Sequence, residues 1–215
     1  MKWNIFRYLA DFSHLISVMI LLHKMIKKRT CAGLSLKTQF LFLIVFIARY
    51  VNGSFFSPPV YNIVFRIFYI VSAAAICYLM WKPLKQTYDH RHDTFRAVIV
   101  IVLAIPFALF TMPQKTVPHF FFAYSLWVEC VAIIPQLMLL GRTVKFDALD
   151  RDYVFFLAIY RLFYLLNWIY KMVTGTGKTA SVIWITGIIQ TLVFSDFIYE
   201  YLKLKVNGKS SVLPI

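Results

Sequence analysis

With 60% hydrophobic and only 15% charged residues in 215, and a mean hydropathy of +0.70, the chain is too apolar for a soluble globular domain and reads as an integral membrane protein. A formal net charge of +14 would point to nucleic acid in a soluble protein, but here most basic residues sit in short segments between apolar runs, where they orient a membrane protein. Cys31, Cys77 and Cys130 are widely spaced, which argues against a disulfide framework or a metal-binding pair.

The first apolar run, about 3–23, lacks a small-residue cleavage site and is expected to stay as a span. It carries Arg7, Asp11 and His14 at steps of four and three, on one helix face. An internal ion pair beside a satisfied histidine is one reading; a cavity lined by all three groups is the favoured one. The second span, about 38–51, ends in Arg49 and Tyr50, before a luminal-type turn containing Asn52, Gly53, Pro58 and Pro59. The third covers about 61–81. The polar loop 82–96 holds Asp89, His90, His92 and Asp93, which we read as a solvated loop rather than a metal cluster.

The fourth span, about 97–112, is short and contains Pro106. The fifth, about 119–140, aligns His119, Phe122, Leu126 and Glu129 on one face and has Pro135-Gln136 near its end. The sixth, YVFFLAIYRLFYLLNWIYK at 153–171, is the most informative. Arg161, Tyr164, Trp168 and Lys171 share one face at steps of three, four and three, flanked by Tyr160 and Asn167. An ionisable group at membrane depth costs at least ~2.5–3.5 kcal/mol on insertion scales, so it belongs in a bundle or cavity. The glycine-rich turn after it lacks the glycine spacing of a phosphate-binding loop. The seventh span, about 182–201, carries Asp196 and leads into a tail with Lys203, Lys205 and Lys209.

The first, third and fifth loops and the tail hold 15 basic residues and the opposite side three, so the tail is expected in the cytosol and the N-terminus in a lumen or outside. A basic turn followed by an aromatic span with a deep arginine occurs twice, from Arg29 to Arg49 and from Arg142 to Arg161. The expected fold is therefore an all-α integral membrane protein in one domain. It has seven transmembrane helices, with one three-helix bundle at about 1–81, a linker helix at about 97–112 and a second bundle at about 119–203. Residues 204–215 form a cytosolic tail. Parallel repeats of this kind occur in small transporters of the SWEET type.

Arg7, Arg49, Arg161 and Lys171 outnumber Asp11 and Glu129 on the interior faces, so the cavity should take an anion with more than one negative group. Arginine suits carboxylates through its two parallel donors, and Tyr50, Tyr160, Tyr164 and Trp168 supply an aromatic wall with polar tips. Glu129 should pair with Arg161 or a tyrosine hydroxyl. Protonation of His14 in an acidic compartment would add a further cation and tighten anion binding. No nucleophile–base pair, paired carboxylates or metal motif appears, so neither an enzyme nor a cofactor is expected.

The segments IFRYLADFSHL, CAGLSLKTQ, ARY, HDTFR, WVECVAIIPQL, YRLFYLLNWIY and SDFIYEY, in this order and spacing, resemble the KDEL receptor family of endoplasmic-reticulum retention receptors over nearly the whole chain. The resemblance implies a SWEET-related fold and residence in Golgi and endoplasmic-reticulum membranes. It also implies pH-dependent binding of the C-terminal tetrapeptide of escaped luminal proteins, and their return in retrograde (COPI) vesicles. It assigns Arg7, Arg49 and Lys171 to a cationic ladder for ligand carboxylates, with Tyr164 and Trp168 as aromatic lining. It assigns His14, Glu129, Tyr160 and Arg161 to a pH-responsive network, Asp196 to retrograde transport, and Lys203, Lys205 and Lys209 to coat binding. The chain departs from the family where Lys171 stands for arginine and Phe122 for tryptophan. Asn52 and His119 replace two acidic groups that face the fourth-from-last ligand residue, so a neutral or acidic residue is expected there. The alternative reading is a small-solute transporter of the SWEET or PQ-loop type, which shares Pro135-Gln136.

Overall fold

The computed structural model describes residues 4–50, 60–142, 148–175 and 180–206, with only the backbone of 148–150 and 200–206. Asn52, Gly53, Pro58, Pro59 and Lys209 lie outside the described residues, as do the side chains of Lys203 and Lys205. The described residues are helical, with no strand: α1 (Ile5–Lys27), α2 (Leu36–Tyr50), α3 (Val60–Trp81), α4 (Ala97–Thr111), α5 (Val117–Val131), α6 (Ile134–Arg142), α7 (Ala148–Val173) and α8 (Ser181–Val206). Helices satisfy their own backbone polar groups, which an apolar medium cannot do for them. Five stretches are long and apolar enough to cross a membrane: α1, α3, α5 with α6, and most of α7 and α8. α2 and α4 have 15 residues each, about 22 Å of helix against a hydrocarbon core of roughly 30 Å.

Local chemistry sets the helix ends. The Asn4 side chain caps α1 by accepting the Arg7 backbone N–H at 3.1 Å. α1 stops at Lys28, and Arg29 turns the chain away with φ 48°. The fifth apolar run, expected as one span, is two helices, because the proline ring at 135 cannot follow an unbroken turn of helix. Buried hydrogen bonds to the segment leading into α2 hold the break. The Gln136 backbone N–H donates to Thr38 Oγ1 at 3.0 Å. Its side chain accepts the Ser35 N–H at 2.8 Å and donates to the Gly33 carbonyl at 2.7 Å.

The segments between helices also depart from expectation. Lys24, counted with the loop cations, is buried in α1 and donates to the Ala32 carbonyl at 2.6 Å. The loop 82–96 is not merely solvated, since Asp93 is 3% exposed and organises it. Its carboxylate accepts the Ser35 hydroxyl at 2.9 Å and the Tyr88 hydroxyl at 2.6 Å. Burial and this carboxylate push the Tyr88 phenol up, which keeps it a donor. Lys37 Nζ donates to the Asp93 carbonyl, and Arg142 donates to Thr94.

In the packing, α1 lies along α7 most extensively; α2 lies on α3 and α5, α4 on α5, and α8 against α5 and α7. The cavity described below opens among α1, α2, α5 and α7. Replacing Gln136 with alanine strands the Ser35 N–H and the Gly33 carbonyl, each worth ~1–3 kcal/mol when buried and unpaired. Gln136→Ala should therefore lower the thermal unfolding midpoint of the detergent-solubilised protein by several degrees; an unchanged midpoint would contradict the role given to the Gln136 side chain.

Candidate functional site: a buried cationic cavity

The cavity has a volume of about 240 Å³ and is lined by Arg7, Asp11 and His14 of α1, Phe46, Arg49 and Tyr50 of α2, Tyr69 of α3, Phe122, Leu126 and Glu129 of α5, Tyr160, Arg161, Tyr164 and Trp168 of α7, and Ile183 of α8. The helical spacings expected from sequence thus converge on one space. α7 contributes most because positions 160, 161, 164 and 168 face inward together.

Two carboxylates anchor it. Glu129, 3% exposed, accepts Arg49 Nη2 at 2.6 Å and the Tyr160 hydroxyl at 2.5 Å, with Arg161 Nη1 at 3.8 Å. The expectation that Glu129 pairs with Arg161 or a tyrosine holds through Tyr160, but the nearest cation is Arg49, expected to face ligand. Arg49 Nε also donates to Ser125 Oγ at 3.2 Å. Asp11, on the other side, accepts the Tyr164 hydroxyl at 2.5 Å and the Tyr61 hydroxyl at 2.9 Å, with Arg7 Nε at 3.8 Å. Arg7 Nη2 donates to Asn62 Oδ1 at 2.8 Å. The ion-pair reading of α1 and the lined-cavity reading therefore both hold.

The His14 ring is stacked between Tyr69 and Tyr160, at centroid distances of 4.5 and 4.7 Å. Arg161 is 4% exposed and lies over the Trp168 ring at 5.2 Å, yet its Nε and Nη2 meet no acceptor among the described residues. Trp168 is close to α8, where a Cβ on Gly187 would come within 2.3 Å of its ring. A larger residue at 187 would have to displace the ring that covers Arg161.

Three lining arginines face two lining carboxylates, which leaves one positive charge uncompensated on the cavity wall. Such a cavity can hold an anion and offer it a guanidinium with unused donors. Not every expected residue comes to it. Lys171 is buried near the end of α7, about 4.5 Å of helix rise beyond Trp168, and is absent from the lining. His119 is half-buried in the first turn of α5 and absent from the lining, its ring hydrogen-bonded to the Thr116 hydroxyl at 2.7 Å. Asp196 is exposed on α8. Sequence reasoning missed Tyr61, Asn62, Tyr69 and Ser125, which position the charged groups. Asn62 and Tyr69 lie seven apart on α3, the spacing that could have found them.

Helices long enough to span a bilayer, arranged around a charged cavity, define a membrane protein with an internal site of net positive charge. The family model described as ER lumen protein retaining receptor matches residues 30–171. Full-length relatives include the ER lumen protein-retaining receptor of Entamoeba histolytica, 37% identical with all of each chain covered, and that of Drosophila melanogaster, 37% identical over 98% of this chain and 99% of the relative. Receptor A of Arabidopsis thaliana is 41% identical over 96% and 97%. The chain belongs to the ER lumen protein-retaining receptor family, whose members are multi-pass receptors of the endoplasmic-reticulum and Golgi system.

Because Glu129 holds two guanidinium groups, its loss leaves buried charge unmatched, an effect of ~3–5 kcal/mol when one partner of a buried pair is removed. Glu129→Gln should lower the unfolding midpoint well beyond Asp196→Asn, at an exposed position; equal midpoints for the two variants would show that Glu129 does not anchor the cluster.

Proposed function

We propose that the chain is a Golgi-to-endoplasmic-reticulum retrieval receptor that binds the C-terminal tetrapeptide of escaped luminal proteins in this cavity. The observation that carries the reading is Arg161, a buried arginine on the cavity wall with two donors unused. A carboxylate of the peptide satisfies that requirement with bidentate geometry. Arg7 and Arg49 serve the other carboxylates, Tyr50, Phe122, Tyr164 and Trp168 supply the apolar wall, and Lys171 extends the positive field toward the mouth. With lysine in place of a guanidinium, Lys171 acts as a point charge rather than a fork.

His14 stands where a proton matters. Its ring touches Tyr160, which bonds Glu129. Protonation adds a positive charge to a site for anions, so binding strengthens as pH falls, suiting capture in an acidic compartment and release in a neutral one. Asn52 and His119 carry no negative charge to receive a lysine at the fourth-from-last ligand position, so a neutral or acidic residue is preferred there. In this reading the fold has seven spans in two related bundles with α4 between them. The pairing of α1 with α7 and of α2 with α5 supports it, since exchanging the two bundles converts one contact into the other. The N-terminus is luminal, and the cytosolic Lys203, Lys205 and Lys209 engage the retrograde COPI coat, with Asp196 serving transport.

The Pro135-Gln136 break favours a second reading, a small-solute transporter. Glu129, Tyr160 and Arg161, all nearly fully buried, block its path.

Labelled peptides ending in KDEL, HDEL, DDEL and ADEL should bind more tightly at about pH 5.5 than at about pH 7.4, a range bracketing the histidine pKa, with KDEL weakest. His14→Ala should flatten the pH dependence. Equal affinities for KDEL and DDEL would remove the proposed preference. Absence of peptide binding at either pH, with solute flux in proteoliposomes, would establish the transporter.

A further inference from the structure

The retrieval reading leaves unused a second site, at the end of α3. Leu36, Phe40 and Leu43 of α2 and Ala74, Cys77 and Trp81 of α3 line an apolar groove of about 560 Å³. The groove opens to the outside of the bundle, since Phe40 is 47% and Trp81 65% exposed. Its α2 residues extend over about 10 Å of helix. Leu36 and Trp81 also line an adjoining cavity of about 720 Å³, whose walls include Lys85, His90 and Arg91. The two spaces form one surface, apolar along the helices and cationic where the chain leaves α3. Asp89 is the one carboxylate on the cationic wall, and it is engaged by His92 at 2.6 Å. Lys85 and Arg91 are exposed and make no ion pair with a described residue.

The loop bearing these cations is held in place. Asp93 ties it to Ser35 and Tyr88, and Thr87 accepts the Cys31 backbone N–H at 2.9 Å. A tryptophan at a helix end, with basic residues just beyond it, is the chemistry of a membrane–water interface. A soluble acidic peptide would use the basic wall but leave the groove unfilled. A neutral lipid would fill the groove and leave the cations unmatched.

We propose that this surface binds an anionic glycerophospholipid from the adjoining leaflet, with an acyl chain along the α2–α3 groove and the phosphate-bearing headgroup between Lys85 and Arg91. The site is separate from the peptide cavity, and no residue lines both.

Native mass spectrometry of the full-length protein with added phosphatidylserine or phosphatidylcholine tests it. Phosphatidylserine should be retained in preference, and the double variant Lys85→Ala/Arg91→Ala should weaken its retention at least about tenfold, as expected for two juxtamembrane cations, with phosphatidylcholine unaffected. Lys82→Ala/Arg96→Ala removes the same charge from exposed positions off the site, and should preserve the preference. Soluble glycerophosphoserine should not compete. All four side chains are exposed, so an unchanged unfolding midpoint is expected in both variants. Equal loss in the two double variants, no loss in either, or competition by glycerophosphoserine at lipid-like concentrations would overturn the proposal.

Discussion

The Glu129 carboxylate is the interaction on which the rest of the site depends. It is 3% exposed, and a charge so buried would be prohibitively costly without partners. Arg49 from α2 and Tyr160 from α7 bond it directly, so one group on α5 ties three helices together. Arg161 lies 3.8 Å away, near enough to be held and too far to be satisfied. The cluster thus fixes the position of a guanidinium whose Nε and Nη2 have no acceptor among the described residues. Asp11 repeats the device across the cavity, ordering Arg7, Tyr61 and Tyr164. Acidic groups here create a cationic site by placing the cations, and they leave a positive excess among the lining residues.

The same economy of polar groups shapes the frame. Pro135 breaks a helix, Thr38 accepts the Gln136 N–H at the break, and the Gln136 side chain in turn bonds Ser35 and Gly33 just before α2. That junction joins α2 to α6 at one end, and the Arg49–Glu129 pair joins α2 to α5 at the other. Since α2 carries both, its polar ends and α5 set where Arg49 stands. Gly187 plays a comparable part for Trp168, permitting the approach of α8 behind the ring that covers Arg161.

Much of this was legible in the sequence because membrane burial makes polar residues conspicuous. Arg7, Asp11, His14, Glu129 and Arg161 interrupt apolar runs, and helical spacing alone gathers Tyr160, Arg161, Tyr164 and Trp168 onto a face. What spacing cannot give is which helix sits opposite which, so the partner of Glu129 came out as Arg49, a residue read as facing ligand. Polar but uncharged partners such as Asn62 and Ser125 were hidden for another reason, since they are common in helices with no functional role. Asp93 shows the converse limit. In a loop dense with charged residues, nothing local distinguishes the one carboxylate that is buried from those that are solvated. Pro135 was visible, but a proline bends some spans and divides others, and the outcome depended on buried partners a hundred residues away.

In the proposed function, the unused donors of Arg161 receive a ligand carboxylate. The direct measurement is equilibrium binding, at about pH 5.5, of one labelled peptide with a free C-terminus and of its amidated form, to the unaltered protein and to Arg161→Lys. The substitution keeps the charge and removes the planar fork. The unaltered protein should bind the free acid far more tightly than the amide, and Arg161→Lys should lose at least about tenfold for the free acid, the equivalent of one lost charge-assisted hydrogen bond. Unchanged affinity of Arg161→Lys for the free acid would contradict it.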